Sequence, residues 1–94
     1  MSYCRTTLIK YRSKEDADEL ISKYKISAST DFPDAVILLC TRTSSTSAVM
    51  TSLYPSKEIA DLAMATRKPI LKDAKSKAKI TSMETHEGDA SSLL

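Results

Sequence analysis

The sequence predicts an α+β domain with the element order βαββαβ, in which a four-stranded, mainly antiparallel sheet carries two helices on one face. Residues 35–40 form the longest unbroken apolar run, which is too short for a buried helix and rich in strand-forming residues. Two other segments, which begin near residues 13 and 56, repeat apolar residues at helical spacing. With right-handed crossovers, this element order gives a ferredoxin-like sheet.

Size and composition limit the functions to consider. The chain has 94 residues, enough for one domain with a single modest core. Its apolar content of 41% and charged content of 28% are ordinary for a soluble globular protein. A net charge of +2 is too small to indicate nucleic acid or an anionic membrane as a partner. With no apolar signal or membrane-spanning pattern, we expect a cytoplasmic protein.

The first strand and the first helix follow one another directly. In residues 3–12 both alternating sets of side chains include apolar groups. Neither face of this strand is therefore expected to be fully exposed to solvent. Ser13 is a candidate N-cap, with acids in the first helical turn. An apolar stripe at residues 17, 20, 21 and 24 then predicts a helix, followed by a connector over residues 25–34. In that connector Phe32, held extended by Pro33, is expected to cover one end of the core.

The second half of the chain predicts a hairpin, a helix and a last strand. Strands are expected at residues 35–42 and 47–54, joined by a loop longer than two residues because no glycine is present there. Ser56 is a plausible N-cap for the second helix, and Pro69 predicts a kink or break near residues 67–68. The fourth strand is expected at residues 78–87 and to end at Gly88. The domain would then span residues 1–88, with a flexible tail at 89–94.

Apolar residues occupy both alternating sets of the first three strands, but two helices cover only one face of the sheet. The other face must be buried by another sheet, most simply that of an identical subunit. The sequence therefore predicts a homodimer formed by sheet-to-sheet packing. RNA-recognition domains share the βαββαβ order, but the third strand here lacks their basic, glycine-rich aromatic motif, so RNA binding is not expected.

The apolar run 35–42 and the segment 48–60, in which a strand ending in Tyr54 leads through a short turn into an alanine-containing helix, resemble the dimeric α+β barrel superfamily. Within it the chain is most similar to antibiotic biosynthesis monooxygenase-like proteins, over residues 2–87. This resemblance implies a homodimer whose two sheets enclose a pocket, and some members are cofactor-free monooxygenases. The haem-degrading members of the superfamily use a tryptophan, an asparagine and a histidine on the second helix. This chain has no tryptophan or asparagine, and its second helix has no histidine, so the resemblance does not extend to that subgroup.

Few residues suggest chemistry. His86 is the only histidine and could act as a general base, although a solvated strand end beside Glu84 and Glu87 is the favoured interpretation because it needs no partner or pocket. Cys4 and Cys40 lie in apolar strand patterns and are expected to be small buried hydrophobes. A lone histidine with no metal-ligand spacing predicts no metal site, and no cofactor is expected.

Polar strand residues could line the pocket between two sheets. Phenol and guanidinium groups in an apolar cavity can orient an anionic or phenolic ligand. The competing interpretation is that the tyrosines fill the dimer interface while the arginines lie at its wet rim. The residues concerned are Tyr3, Tyr11 and Tyr54 together with Arg5 and Arg42.

Two hypotheses therefore stay open. In the first, the protein is a homodimer of undetermined role that binds a small organic ligand between its sheets, without turnover. In the second, it is a cofactor-independent monooxygenase of an aromatic or phenolic molecule, with Tyr54, Arg42 and His86 as the candidate catalytic residues. Substitution of His86 or Tyr54 would distinguish the two hypotheses.

Overall fold

A computed structural model describes residues 2–71, 77–91 and 93 of the chain. The strands neighbour one another in the order β2-β3-β1-β4, and each neighbouring pair is antiparallel. This architecture confirms the predicted ferredoxin-like α+β fold. The elements are β1 (Ser2–Tyr11), α1 (Lys14–Asp31), β2 (Ile37–Ser44), β3 (Ser47–Tyr54), α2 (Lys57–Leu71) and β4 (Ile80–Ala90).

Helix α1 begins where the sequence predicted but ends later. Ser13 is the N-cap, and its Oγ accepts a hydrogen bond from the Asp16 amide at 3.1 Å. The helix continues to Asp31, so the connector expected from residue 25 was wrong. The reason is that neither glycine nor proline occurs before Pro33, and the residue preceding a proline is where a helix normally stops. Phe32 follows as the C-cap and is buried, as expected for a residue that closes the core.

The β2–β3 hairpin is tighter than predicted. Ser44 pairs with Ser47, which leaves a two-residue turn instead of the longer loop that the absence of glycine suggested. Among the described residues none has a positive φ, so the turn is not the primed type that requires glycine. A register shift between Arg42 and Ser44 adapts the strands to this turn. The Arg42 guanidinium also donates to the Ser44 and Ser45 carbonyl oxygens at 2.8 and 2.6 Å.

Helix α2 and strand β4 both extend beyond their expected ends. Ser56 caps α2 through a 3.3 Å hydrogen bond from the Ile59 amide, as predicted. The helix runs past Pro69 to Leu71, so the predicted break was wrong, whereas the alternative, a kink, stays a prediction; one proline removes a single backbone donor without always ending a helix. Gly88 lies inside β4, which pairs with β1 through Ala90, so the expected strand end at Gly88 was also wrong. The tail beyond residue 90 stays a prediction.

Strand register sorts the side chains into two faces. On the helix-covered face, Tyr54 packs with Tyr3, Phe32 and Ala60 in one core cluster. A second cluster, under α1, contains Ile9, Tyr11, Ala17, Ile21, Ala48 and Met50. No described helix is long and apolar enough to cross a membrane.

The other face of the sheet, called the open face below, carries three cross-strand rows. Each row takes one residue from β2, β3, β1 and β4 in turn, since those residues are register partners. The two predicted alternating sets of β1 are thereby confirmed, one under the helices and one on the open face. The rows are Ile37–Leu53–Cys4–Gly88, Leu39–Thr51–Thr6–His86 and Thr41–Val49–Leu8–Glu84.

Candidate functional site

The open face is apolar on one half and polar on the other. Leu39 is 55% exposed, Ile37 44% and Leu8 42%, although all three belong to regular strands. Val49 and Leu53 between them are half-buried. No described element of the chain lies over these side chains, because both helices contact the opposite side. The half formed by β2 and β3 is therefore an exposed hydrophobic surface.

The polar half of the open face contains a shallow depression of about 360 Å³. Its floor follows the β1–β4 ladder, where Cys4 is the register partner of Gly88 and Thr6 that of His86. A thiol, a hydroxyl and an imidazole are thus presented next to one another. The remaining lining residues are Glu87, Asp89, Ala90 and Ser91.

His86 is the titratable side chain that the depression presents on the open face together with a neighbouring carboxylate. Its Nε2 lies 3.0 Å from Glu84 Oε1, on the same face of β4. Both side chains are well exposed. A carboxylate beside a histidine can orient the imidazole as a general base requires.

A second polar cluster lies on the helix-covered face and is the most densely bonded in the described structure. The Arg5 guanidinium donates to Glu87 Oε2 at 2.5 Å, to the Ala60 carbonyl at 3.0 Å and to Asp61 Oδ1 at 2.9 Å. Tyr3 donates its hydroxyl to the other Glu87 oxygen at 3.0 Å. The cluster therefore joins β1, β4 and the first turns of α2.

Electrostatics in this cluster favour the ionised carboxylate. The hydrogen bond from Arg5 lowers the pKa of Glu87 below its usual range, against the opposing effect of burial. For the Tyr3 hydroxyl, burial raises the pKa, and the hydrogen bond to Glu87 adds to that effect. Tyr3 therefore stays protonated and acts as a donor at neutral pH. Each Arg5 guanidinium nitrogen and the Tyr3 hydroxyl donate to an acceptor within the cluster, which is the arrangement of a structural network.

The structure does not bring the three predicted catalytic residues together. Tyr54 is 1% exposed and lies in the core under the helices. Arg42 belongs to the same side of the sheet, at the end of β2, and donates to Asp18 of α1 at 2.9 Å. His86 alone faces the open side. The expectation that Tyr54 and Arg42 point between two sheets was wrong, because strand parity places both toward the helices.

The other predicted pocket residues are also on the helix side. Tyr3 and Tyr11 are buried in the two core clusters and Arg5 in the polar cluster, so they neither line a space between sheets nor fill a sheet-to-sheet interface. Cys40 is half-buried against the core, where burial raises the pKa of its thiol, and Cys4 is half-buried on the open face. Among the described residues, no three histidine, cysteine or acidic side chains are grouped as metal ligands.

Sequence reasoning named Arg5 but missed its acidic partners and the place of Gly88 in the depression. Arg5 alternates with Tyr3 and Ile9, and an arginine in a core-facing set signals a buried charge that needs acidic partners. Glu87 and Asp61 could not be identified as those partners without the fold. Gly88 was taken as a strand end, although a glycine inside a strand also marks close approach of another group.

Comparisons with known proteins agree on the fold. No protein-family model matches the sequence, and no curated protein matches it. A solved structure described as a putative antibiotic biosynthesis monooxygenase from Chloroflexus aurantiacus J-10-fl has a TM-score of 0.76 at 13% identity, covering 98% of this chain and 95% of that one. A dimeric ferredoxin-like protein from an uncultured marine organism has a TM-score of 0.80 at 12% identity, covering 99% and 90%.

A third similar structure is SnoaB from Streptomyces nogalater, described as a cofactor-independent oxygenase, with a TM-score of 0.75 at 11% identity and coverage of 99% and 96%. At such low identity these likenesses establish the fold. They agree with the strand order and helix placement described above. The chain therefore has the ferredoxin-like α+β fold that antibiotic biosynthesis monooxygenase-like and dimeric ferredoxin-like proteins share, as the sequence resemblance implied.

Proposed function

We propose that the protein is a homodimer whose two sheets pack open face to open face and that the space between them binds a small organic molecule. The observation that carries the proposal is the exposure of Ile37, Leu39 and Leu8 on a sheet face that no described element covers. Burial of such side chains contributes about 25 cal/mol per Å² of apolar surface. A second copy is the occupant we choose, because two similar structures are described as dimeric ferredoxin-like proteins.

The size of the open face fits a stable interface. Four strands at about 4.8 Å spacing, with about 3.3 Å per residue over eight residues, give a footprint of roughly 500 Å² per subunit. Two such faces together reach the approximately 1,000 Å² that a biological interface needs. The apolar half, on β2 and β3, would supply the dry contact.

The depression supplies the proposed ligand site. Its volume of about 360 Å³ lies at the lower end of the range for small-molecule pockets. It is open on one side in the single chain, so a sheet packed above it would provide the missing wall. Thr6 and His86 offer hydrogen-bonding groups, and Cys4 offers a less polar surface.

Solution mass tests the dimer directly. Light scattering over a wide concentration range should give the mass of two subunits. Leu39→Lys places a charge in the apolar contact and should give a monomer, whereas Ile26→Lys, at an exposed apolar residue on α1, should leave the dimer intact. A monomeric wild-type protein, or a Leu39→Lys dimer of unchanged affinity, would refute the proposed interface.

A second candidate function is cofactor-independent oxygenation of a phenolic molecule, favoured by the Glu84-oriented His86 on the open face. His86 would accept the phenol proton, and the electron-rich ring would be the only reductant. In the overall reaction a ring CH₂ group and O₂ give C=O and H₂O, which balances atoms and electrons without a cofactor. Tyr54 and Arg42 take no direct part in this form of the hypothesis.

Oxygen uptake separates the two candidate functions. A panel of hydroxylated anthrones should support oxygen consumption by the wild-type protein if it is an oxygenase. His86→Ala should then abolish turnover, and Glu84→Gln should reduce it by about ten- to a hundredfold while the dimer persists. Absence of protein-dependent uptake with the whole panel would rule out this second function and leave the ligand-binding proposal standing.

A further inference from the structure

Gly88 is the only glycine of the chain, and nothing in the described structure requires a glycine there. It lies inside β4 opposite Cys4, in the regular antiparallel register. Its φ is not positive, so any residue could adopt its backbone conformation. A Cβ built at this position has no neighbouring atom within 4 Å. Neither backbone geometry nor packing within the chain therefore explains the missing side chain.

Glycine in a strand is normally a disadvantage, because it weakens the strand and has no side chain to pack. Its usual meaning in such a place is a bulge, a tight bend, or the close approach of a ligand or another backbone. The register shift between β1 and β4 lies at Lys10 and Tyr11, at the other end of the strand. A bulge therefore does not explain the glycine at position 88. The remaining explanation is the close approach of a ligand or another backbone to Gly88.

The depression lies directly at this position. Gly88 is one of its lining residues, with Cys4 across the ladder and His86 two residues away on the same face. A side chain at position 88 would project from the open face into that space, since every second residue of β4 points to this side. The missing side chain is thus what keeps the depression open.

We propose that Gly88 is the specificity-determining residue of the ligand site, where a small uncharged molecule with a hydroxyl group packs flat against its backbone. The inference rests on the proposed function, because the ligand is held between this surface and the second copy. The site is incomplete in one chain. Its residues come from two adjacent strands of one sheet, so a single chain would contact the ligand on one side only. Ligand binding and dimerisation should therefore strengthen one another.

The charges around the depression indicate the class of ligand. No lysine or arginine is among the residues that line the depression, and the Glu84 carboxylate lies beside His86 on the same face. The side chains of Arg5 and its partner Glu87 both lie on the far face of the sheet. An anionic ligand would therefore lie near the Glu84 carboxylate with no lining cation to pair with, whereas a hydroxyl group can hydrogen-bond to Thr6 or His86.

The test uses Gly88→Val with Ser82→Val as its matched control. Ser82 is an exposed residue on the same face of β4, six residues away and outside the depression. Both variants should fold, because valine suits a strand and position 88 has free space. The probe is 2-naphthol, followed by its fluorescence, and 2-naphthoate serves as its anionic counterpart.

We expect wild-type protein and Ser82→Val to bind 2-naphthol, with at least tenfold weaker binding of 2-naphthoate. Gly88→Val should keep the dimer mass and lose at least tenfold in affinity for 2-naphthol. Unchanged affinity in Gly88→Val, equal affinity for both probes, or no binding by a dimeric wild type would overturn the inference. A monomeric Gly88→Val would overturn it too, by showing that the partner's backbone approaches Gly88. A monomeric wild type would refute the proposed function itself.

Discussion

Replacing Arg5 by methionine should cost about 3 kcal/mol of folding free energy. The side chain of Arg5 is only 10% exposed and makes three charge-assisted hydrogen bonds. The bond to the buried Ala60 carbonyl contributes about 1.5 kcal/mol. The pairs with Glu87 and Asp61, which are 37% and 49% exposed, contribute about 1.5 kcal/mol together after discounting for solvent screening. Methionine keeps the apolar stem, so packing loss is small.

The assay is urea unfolding followed by circular dichroism at fixed protein concentration, because association shifts apparent stability. A loss of about 3 kcal/mol corresponds to a fall in melting temperature of roughly 12 °C or more for a domain of this size. Arg42→Met is the matched control: it removes an arginine from a more exposed strand end and should cost less than about 1 kcal/mol. An Arg5→Met protein as stable as Arg42→Met would refute the view that this cluster holds α2 to the sheet.

Three further predictions concern stability. Because the folded-state pKa of Glu87 is lowered, its contribution is complete above the unfolded Glu pKa of about 4.3 and is lost as pH falls through the lower folded value. Glu87→Gln should therefore lose less stability than wild type between about pH 5 and pH 3 in urea titrations, and equal losses would contradict this. Ser13→Ala removes the α1 cap and should cost about 1 kcal/mol by thermal unfolding, whereas the exposed Ser22→Ala should be neutral. Phe32→Ala should cost about 3–5 kcal/mol in the same assay, and a loss under about 1 kcal/mol would show that Phe32 does not close the core.

Local patterns predicted the elements well, because the groups that define them are adjacent in sequence. Ser13 caps α1 through a residue three positions away, and the alternation in β1 fixes which side chains share a face. Element ends were less predictable. Helix α1 runs on to Asp31 because nothing interrupts it, and β4 continues through Gly88 because pairing with β1 continues.

The candidate site was harder to predict, since it depends on which side of each strand faces the helices. Tyr54 was chosen as an aromatic residue at a strand end. Its position in the alternation of β3, however, places its side chain on the helix-covered face, in the core with Phe32. The alternation alone gives two sets and does not say which one the helices cover. His86 fell on the open side, whereas the Arg5 partners come from residues 55 or more positions away and had no local signal.

The central position of β1 has a consequence for synthesis of the chain. Of the strands in this sheet it is the first to leave the ribosome, yet its partners are residues 47–54 on one edge and 80–90 on the other. The Arg5–Glu87 bond spans 82 positions. A nascent chain that has not reached residue 80 therefore exposes an unpaired edge of β1 and an unsatisfied Arg5, which are features that folding chaperones and aggregating partners both recognise. Such distant pairing also predicts slow folding for so small a domain.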